Sequence, residues 1–209
     1  MIESLKPAYN NLLRPLIRPL VAVGLQPNHL TLAGLALFGL AAWFIFKGLW
    51  MLALVLGIVG SLLDGLDGLV ARETNKKSVF GAILDSSCDR LTEIFVIAGL
   101  LGYLLTAPLI SFSKPGISLS LRAWGIVFCY AAITMSLMVS YIKARCEGAG
   151  VSCNRGIMQR PERLILLGTG LLMGPCVMIF ILGGFSVLGA ITVMERFFEA
   201  YKGAKSKQP

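Results

Sequence analysis

All four aspartates of the chain, Asp64, Asp67, Asp85 and Asp89, fall inside stretches that are otherwise apolar. An acidic group at membrane depth costs several kcal/mol unless it is paired, hydrated or metal-bound, so a functional role is the first reading. Asp64 and Asp67 are three residues apart and Asp85 and Asp89 are four apart, so each pair projects from one helix face. If the two segments form an antiparallel hairpin about Lys76, Asp67 stands opposite Asp85 and Asp64 opposite Asp89. The cluster then lies roughly 12 to 20 Å along the helices from the turn. Four ionised carboxylates at that density repel one another unless cations intervene. With oxygen donors only and no neighbouring histidine, Mg²⁺ or Mn²⁺ fits better than zinc, and two such ions would clamp a diphosphate and neutralise a leaving group. Gly65, Gly68, Ala71 and Gly81 let backbones and a bound nucleotide approach closely, although alone they would be ordinary packing residues. A divalent-cation or proton transporter would also place acids at membrane depth. A structural scaffold gives no reason for four of them.

The elements that must hold these residues read as membrane helices. Of 209 residues, 56% are hydrophobic and only 14% charged, a composition that suits a bilayer rather than water. Six apolar segments can be drawn: Leu30 to Phe46, Leu49 to Arg72, Val79 to Leu105, Leu121 to Arg145, Arg160 to Met173 and Met178 to Tyr201. The fifth is short enough to begin in the interface. The predicted fold is therefore an all-α membrane protein of six transmembrane helices in a single domain spanning residues 1–209. Within Met1 to Leu25, the positions Leu5, Tyr9, Leu12, Leu16 and Leu20 recur at helical spacing among Lys6, Arg14 and Arg18. That pattern predicts an amphipathic helix on the membrane surface, kinked or ended by Pro15 and Pro19. No cleavable signal peptide is visible.

The net charge of +8 does not point to nucleic acid, because the basic residues gather at the ends of apolar runs; anionic lipid is the more economical partner. With six spans, one side receives most of the cations, including Arg72, Lys76, Lys77, Lys143, Arg145, Arg155, Arg160, Arg163 and Arg196, and the other receives Lys47, Lys114 and Arg122. This asymmetry places both termini and the Thr74 to Lys77 turn in the cytoplasm, and the Ala107 to Ser120 connection outside. A five-span arrangement would strand the C-terminal basic cluster outside. The five cysteines show no CxxC or CxxH spacing, so they read as small apolar packing residues rather than disulfides or a zinc site.

The stretch DGLDGLVARETNKKSVFGAILDSSCD, from Asp64 to Asp89, resembles the CDP-alcohol phosphotransferase signature D-x2-D-G-x2-A-R-x8-G-x3-D-x3-D at every fixed position. The resemblance implies a six-helix bundle with an N-terminal surface helix, commonly homodimeric. It implies that Asp64, Asp67 and Asp85 ligate metal and that Asp89 both approaches the metals and acts as general base. Gly65, Gly68, Ala71 and Arg72 would line the site for the CDP-activated lipid. The segment PNHLT is similar to the family's first helix start, where Asn28 and Thr31 would reach the nucleotide; Asn28 would serve equally well as a helix cap. The implied reaction joins a polar alcohol to a CDP-lipid and releases CMP, in a multi-pass enzyme of the cell membrane whose site faces the cytoplasm.

For the acceptor, SYIKARCEGAG, from Ser140 to Gly150, followed by NRGIMQRPERL, from Asn154 to Leu164, resembles the inositol phosphate-using subgroup of actinobacteria and archaea, as does LDSSCDRLTE. The donor would be CDP-diacylglycerol or CDP-archaeol. Lys143, Arg145, Arg155, Arg160, Arg163 and Arg196 fall at the same ends of segments four to six, where a subset can converge on an anionic acceptor. Each is equally explained as a topology signal. Lys143, Arg155, Arg163 and Arg196 are the expected contacts, with Arg163 offering its fork to a phosphate. Glycerol 3-phosphate, the acceptor of phosphatidylglycerophosphate synthases, is the leading rival, and serine a weaker one because it needs fewer cations.

Overall fold

A computed structural model describes residues 15, 17, 19–21, 24–106, 115–153 and 155–205. Among them every regular element is helical. The helices are α1 (Pro27–Phe46), α2 (Trp50–Glu73), α3 (Val79–Thr106), α4 (Pro115–Gly148), α5 (Arg160–Met173) and α6 (Pro175–Lys205). They match the six apolar segments, with the fourth starting earlier. Pro115 opens α4 within the stretch expected to be an external connection, consistent with the preference of proline for a first helical turn. The principal packing pairs run in a closed ring, α1–α2–α5–α6–α4–α3–α1.

The reversal near Lys76 and the convergence of the acids agree with the hairpin expectation, but the helix bodies are not packed on one another. The two aspartate helices α2 and α3 are not a principal packing pair; each packs on α1, which wedges between them. Small residues permit the approach. A Cβ on Gly34 would lie 3.2 Å from the Gly60 carbonyl oxygen, and one on Gly99 would lie 2.5 Å from that of Ala42. The closest helix crossings thus fall at Gly34, Gly60 and Gly99, outside the aspartate motif.

Four helices, Pro27–Phe46, Trp50–Glu73, Leu121–Gly148 and Pro175–Lys205, are long and apolar enough to cross a bilayer. Large side chains such as Val55, Ile58, Phe180 and Val187 are exposed on them, as lipid-facing positions require. The other two helices differ for visible reasons. α3 is long enough but carries Asp85, Asp89, Arg90 and Glu93 between its start and its middle. α5 has 14 residues, about 21 Å at 1.5 Å each, against a hydrocarbon thickness of about 30 Å. At the end away from the aspartates, Trp50 and Tyr103 meet edge to face at 4.9 Å, and Lys47 Nζ lies 4.8 Å from the Trp43 ring, an arrangement typical of a membrane interface.

The interior centres on Ile45, Ile97, Leu100, Cys129, Met178, Ile179, Leu182 and Phe185. All five cysteines are free thiols and four are buried, in agreement with packing roles. Most of the surface helix expected over Met1 to Leu25 lies outside the described residues. Pro15, Ile17 and Pro19–Val21 are helical, and Ile17 is buried against Leu30, Leu66, Leu69 and Val70.

Candidate active site

Local sequence rules bring the functional side chains to one end of the bundle. Helix α1 starts at Pro27, with Gln26 in the N-cap position and the Gln26 N–H donating to His29 Nδ1 at 3.5 Å. Asn28 is therefore not the cap; it lies in the first turn and lines the cleft. Helix α2 closes in a Schellman turn: the Asn75 N–H donates to the Arg72 carbonyl and the Lys76 N–H to that of Ala71. Asn75 takes φ +54°, a left-handed conformation that asparagine tolerates well among non-glycine residues. Helix α3 restarts at once, because Ser78 Oγ accepts the Gly81 N–H at 2.9 Å as an N-cap. This tight reversal holds Asp85 near Asp64 and Asp67 even though α1 separates the helix bodies.

Asp64, Asp67 and Asp85 each offer an oxygen within 4.8 Å of the others. Thr31 Oγ1, from α1, donates to Asp67 Oδ2, tying the wedge helix to the cluster. Asp89 stands outside that trio and is joined to it by Arg160, whose guanidinium lies 2.7 Å from Asp64 Oδ2 and 2.5 Å from Asp89 Oδ1. Arg160 opens α5, where the helix dipole disfavours a cation; the two carboxylates offset that cost. The residues fit a divalent cation: the donors are hard oxygens within a few ångströms, and a guanidinium already stands between two of the acids.

Beside the carboxylates opens a cleft of about 420 Å³ lined by residues that include Asn28, Thr31, Asp67, Gly68, Ala71, Arg72 and Asp85. Of the expected donor-lipid residues only Gly65 is missing from the lining; it is half-buried on α2. Lys76, Lys77 and Ser78 join the lining. The sequence offered Lys76 and Lys77 as part of the Thr74 to Lys77 turn, and their alternative use shows only once the turn folds over the cleft.

The cations divide differently from expectation. Lys143 is half-exposed and pairs with Glu147 at 3.8 Å; Arg145 and Arg155 are exposed. Arg163, expected to offer its fork to a phosphate, is 6% exposed. Its Nη1 donates to Glu93 Oε2 at 2.9 Å, to Ser136 Oγ at 2.9 Å and to the Ser136 carbonyl at 3.3 Å. Arg196 is also turned inward, with Nε donating to the Arg155 carbonyl at 3.0 Å and Nη1 to that of Val139. It braces the α4–α5 connection against α6. Glu93 closes the LDSSCDRLTE stretch and continues the four-residue spacing of Asp85 and Asp89, which could have singled it out, whereas Ser136 had no signal in sequence.

The fold and site together define a helical membrane protein with an acid-lined polar cleft at one end of its bundle. The CDP-alcohol phosphatidyltransferase profile matches residues 25–196, and the chain belongs to that family. It is 38% identical to the phosphatidylinositol phosphate synthase of Mycolicibacterium smegmatis over 78% of this chain and 70% of that protein. It is 31% identical to the archaetidylinositol phosphate synthase of Pyrococcus horikoshii over 97% of both chains. The crystal structure of Mycobacterium tuberculosis phosphatidylinositol phosphate synthase with CDP-DAG bound superposes with a TM-score of 0.79 at 28% identity, covering 93% of this chain and 96% of that one. The same enzyme in complex with manganese and citrate gives a TM-score of 0.78 at 28% identity, covering 93% and 91%.

Proposed function

We propose that this enzyme transfers the phosphatidyl or archaetidyl group of a CDP-activated lipid to inositol phosphate and releases CMP. The observation that carries the reading is the juxtaposition of the Asp64–Asp67–Asp85 trio, the adjoining 420 Å³ cleft and the cation-rich ends of α4 to α6. The names of the M. smegmatis and P. horikoshii relatives support the acceptor.

In this reading Asn28, Thr31, Gly68, Ala71 and Arg72 receive the nucleotide, with Gly65 behind them and Lys76 and Lys77 adding positive charge. The lipid tails have a separate place. An apolar groove of about 470 Å³ between α2 and α5, reaching α1 and α3 through Phe38 and Val96, is lined by Leu54, Ile58, Leu62, Leu164 and Leu171. It begins near the level of Asp64, so an acyl or isoprenoid chain stays in hydrocarbon while its diphosphate meets the carboxylates. Asp64, Asp67, Asp85 and Asp89 would hold two Mg²⁺ or Mn²⁺ ions, and the manganese complex of the M. tuberculosis enzyme supports a divalent cation. Bound there, the ions neutralise the diphosphate and the departing nucleotide.

The remaining steps belong to the chain. Asp89 accepts the proton of the acceptor hydroxyl. That oxygen bonds to the lipid-linked phosphorus, and the bond from this phosphorus to the bridging oxygen breaks, so CMP leaves with the electron pair. Lys143, Arg145 and Arg155 meet the acceptor phosphate from the solvent side, while Arg160, Arg163 and Arg196 fix the ends of α5 and α6 beneath it. The whole chain acts as one domain with six spans, a surface N-terminal helix, a cytoplasm-facing site in the cell membrane and a homodimeric assembly.

Acceptor-dependent CMP formation by purified protein tests the reading, comparing inositol phosphate, free inositol, glycerol 3-phosphate and serine. Inositol phosphate should be strongly preferred. Equal use of free inositol would remove phosphate recognition, and preference for glycerol 3-phosphate would replace the acceptor. For orientation, an impermeant thiol reagent should label Lys47→Cys on intact cells and Asn75→Cys only after permeabilisation, because these positions flank opposite ends of α2. The reverse pattern would invert the enzyme.

A further inference from the structure

Asp85, Asp89 and Glu93 recur every fourth residue along α3, so they share one face. Arg160 and Arg163, three apart, share one face of α5. The two faces meet as a ladder: Arg160 pairs with Asp89 at 2.5 Å, and one turn deeper Arg163 pairs with Glu93 at 2.9 Å. Helices α3 and α5 are not a principal packing pair, so these side chains cross the interior of the ring. Ser136 closes the deeper rung from α4, donating from Oγ to Glu93 Oε2 at 2.5 Å.

The deeper rung is sealed. Glu93 and Ser136 are 2% exposed, and an acid so buried is retained only when paired and hydrogen-bonded. Nothing in the reaction reaches it, and simple packing would be served as well by an apolar residue. What an ion pair adds is register, because it fixes one helix against another at a single offset. Helix α5 is short and meets the bundle through α2 and α6, so its register against α3 is set by side chains alone. Arg163 spends Nη1 on this rung while its Nε is buried without a hydrogen-bond partner, so one edge of the guanidinium is fixed and another is left over.

We propose that Glu93, supported by Ser136, is a positioning residue for the acceptor side of the reaction: it holds Arg163 and thereby fixes the start of α5 and the connection before it, from which the exposed Arg155 meets the acceptor phosphate. This rests on the phosphorylated acceptor proposed above. Disturbing the rung should loosen the acceptor and leave the nucleotide cleft, which is built from α1, α2 and α3, as it was.

The test is steady-state kinetics on purified Glu93→Gln, Glu93→Asp and Ser136→Ala, with melting temperature and Mn²⁺ binding by EPR measured in parallel. Glu93→Gln should raise the acceptor KM about tenfold or more, while the KM for CDP-lipid and the Mn²⁺ affinity stay near the parent values. Glu93→Asp keeps the charge and should recover part of the loss. Ser136→Ala should shift the acceptor KM in the same direction by less. If both substrate KM values rise together with a fall in melting temperature, or if only kcat falls, the rung is merely structural and the proposal fails. Should Glu93→Gln not fold, an unchanged acceptor KM in Ser136→Ala overturns it. A parent enzyme that prefers glycerol 3-phosphate would instead overturn the acceptor assignment, and the same KM split measured with that acceptor still decides the role of Glu93.

Discussion

Asp89 and Glu93 are both carboxylates on one face of α3, one helical turn apart, and each meets an arginine of α5. They nevertheless sit in different worlds. Asp89 is partly accessible and shares its arginine with Asp64 of the acidic trio. Glu93 is closed off by Arg163 and Ser136 and touches neither cleft nor solvent. The same chemical group therefore serves reaction at one depth and registry at the next, and access to water and substrate makes the difference.

The comparison can be broken most severely at its reactive member. Asp89→Asn removes the proposed base while keeping an oxygen, and turnover should fall by about a hundredfold or more; near-normal turnover across pH would take Asp89 out of that role. Asp67→Ala deletes an acid of the trio together with the acceptor for Thr31 Oγ1. Its Mn²⁺ affinity should weaken by about 10- to 100-fold, with CDP binding weakened alongside, as titration calorimetry would show. A smaller effect is expected at the crossing that sets α3 against α1. Gly99→Leu forces a Cβ to within 2.5 Å of the Ala42 carbonyl oxygen, and should destabilise the fold by about 1 to 3 kcal/mol, seen as a lower melting temperature in detergent. If Gly99→Leu melts like the parent, the wedge arrangement of α1 is wrong.

At the lower end stands Lys143. Its ion pair with Glu147 is solvent-exposed and contributes about 0 to 1 kcal/mol at most, so Lys143→Gln should leave the melting temperature nearly unchanged. A raised acceptor KM in that variant would sharpen the contrast between exposed cations that meet substrate and buried ones that hold helices. An unchanged KM would reduce Lys143 to a topology signal.

Much of this architecture was legible in the chain. Each helix follows from an apolar run, and the i, i+3 and i, i+4 spacing of the acids fixed which side chains share a face, because helical periodicity is a local property. The aspartate signature carried the family for the same reason: its spacing is the geometry of two helix turns facing one site. The Asn75 and Ser78 caps are local chemistry as well, readable from residue type and position.

What the tertiary structure alone decided is which partner each charge meets. Spacing along one helix says nothing about the helix across from it, so Arg160 was read as an acceptor ligand and is found between Asp64 and Asp89. Arg163 and Arg196 were read as acceptor contacts, yet they bond to Glu93, Ser136 and backbone carbonyls. The wedge of α1 between α2 and α3 was equally hidden, since it depends on close approach at Gly34, Gly60 and Gly99, and a glycine does not announce what will lie against it. A long cation reaches several possible partners from one backbone position, and only the packed bundle selects among them by removing water from some and leaving others exposed.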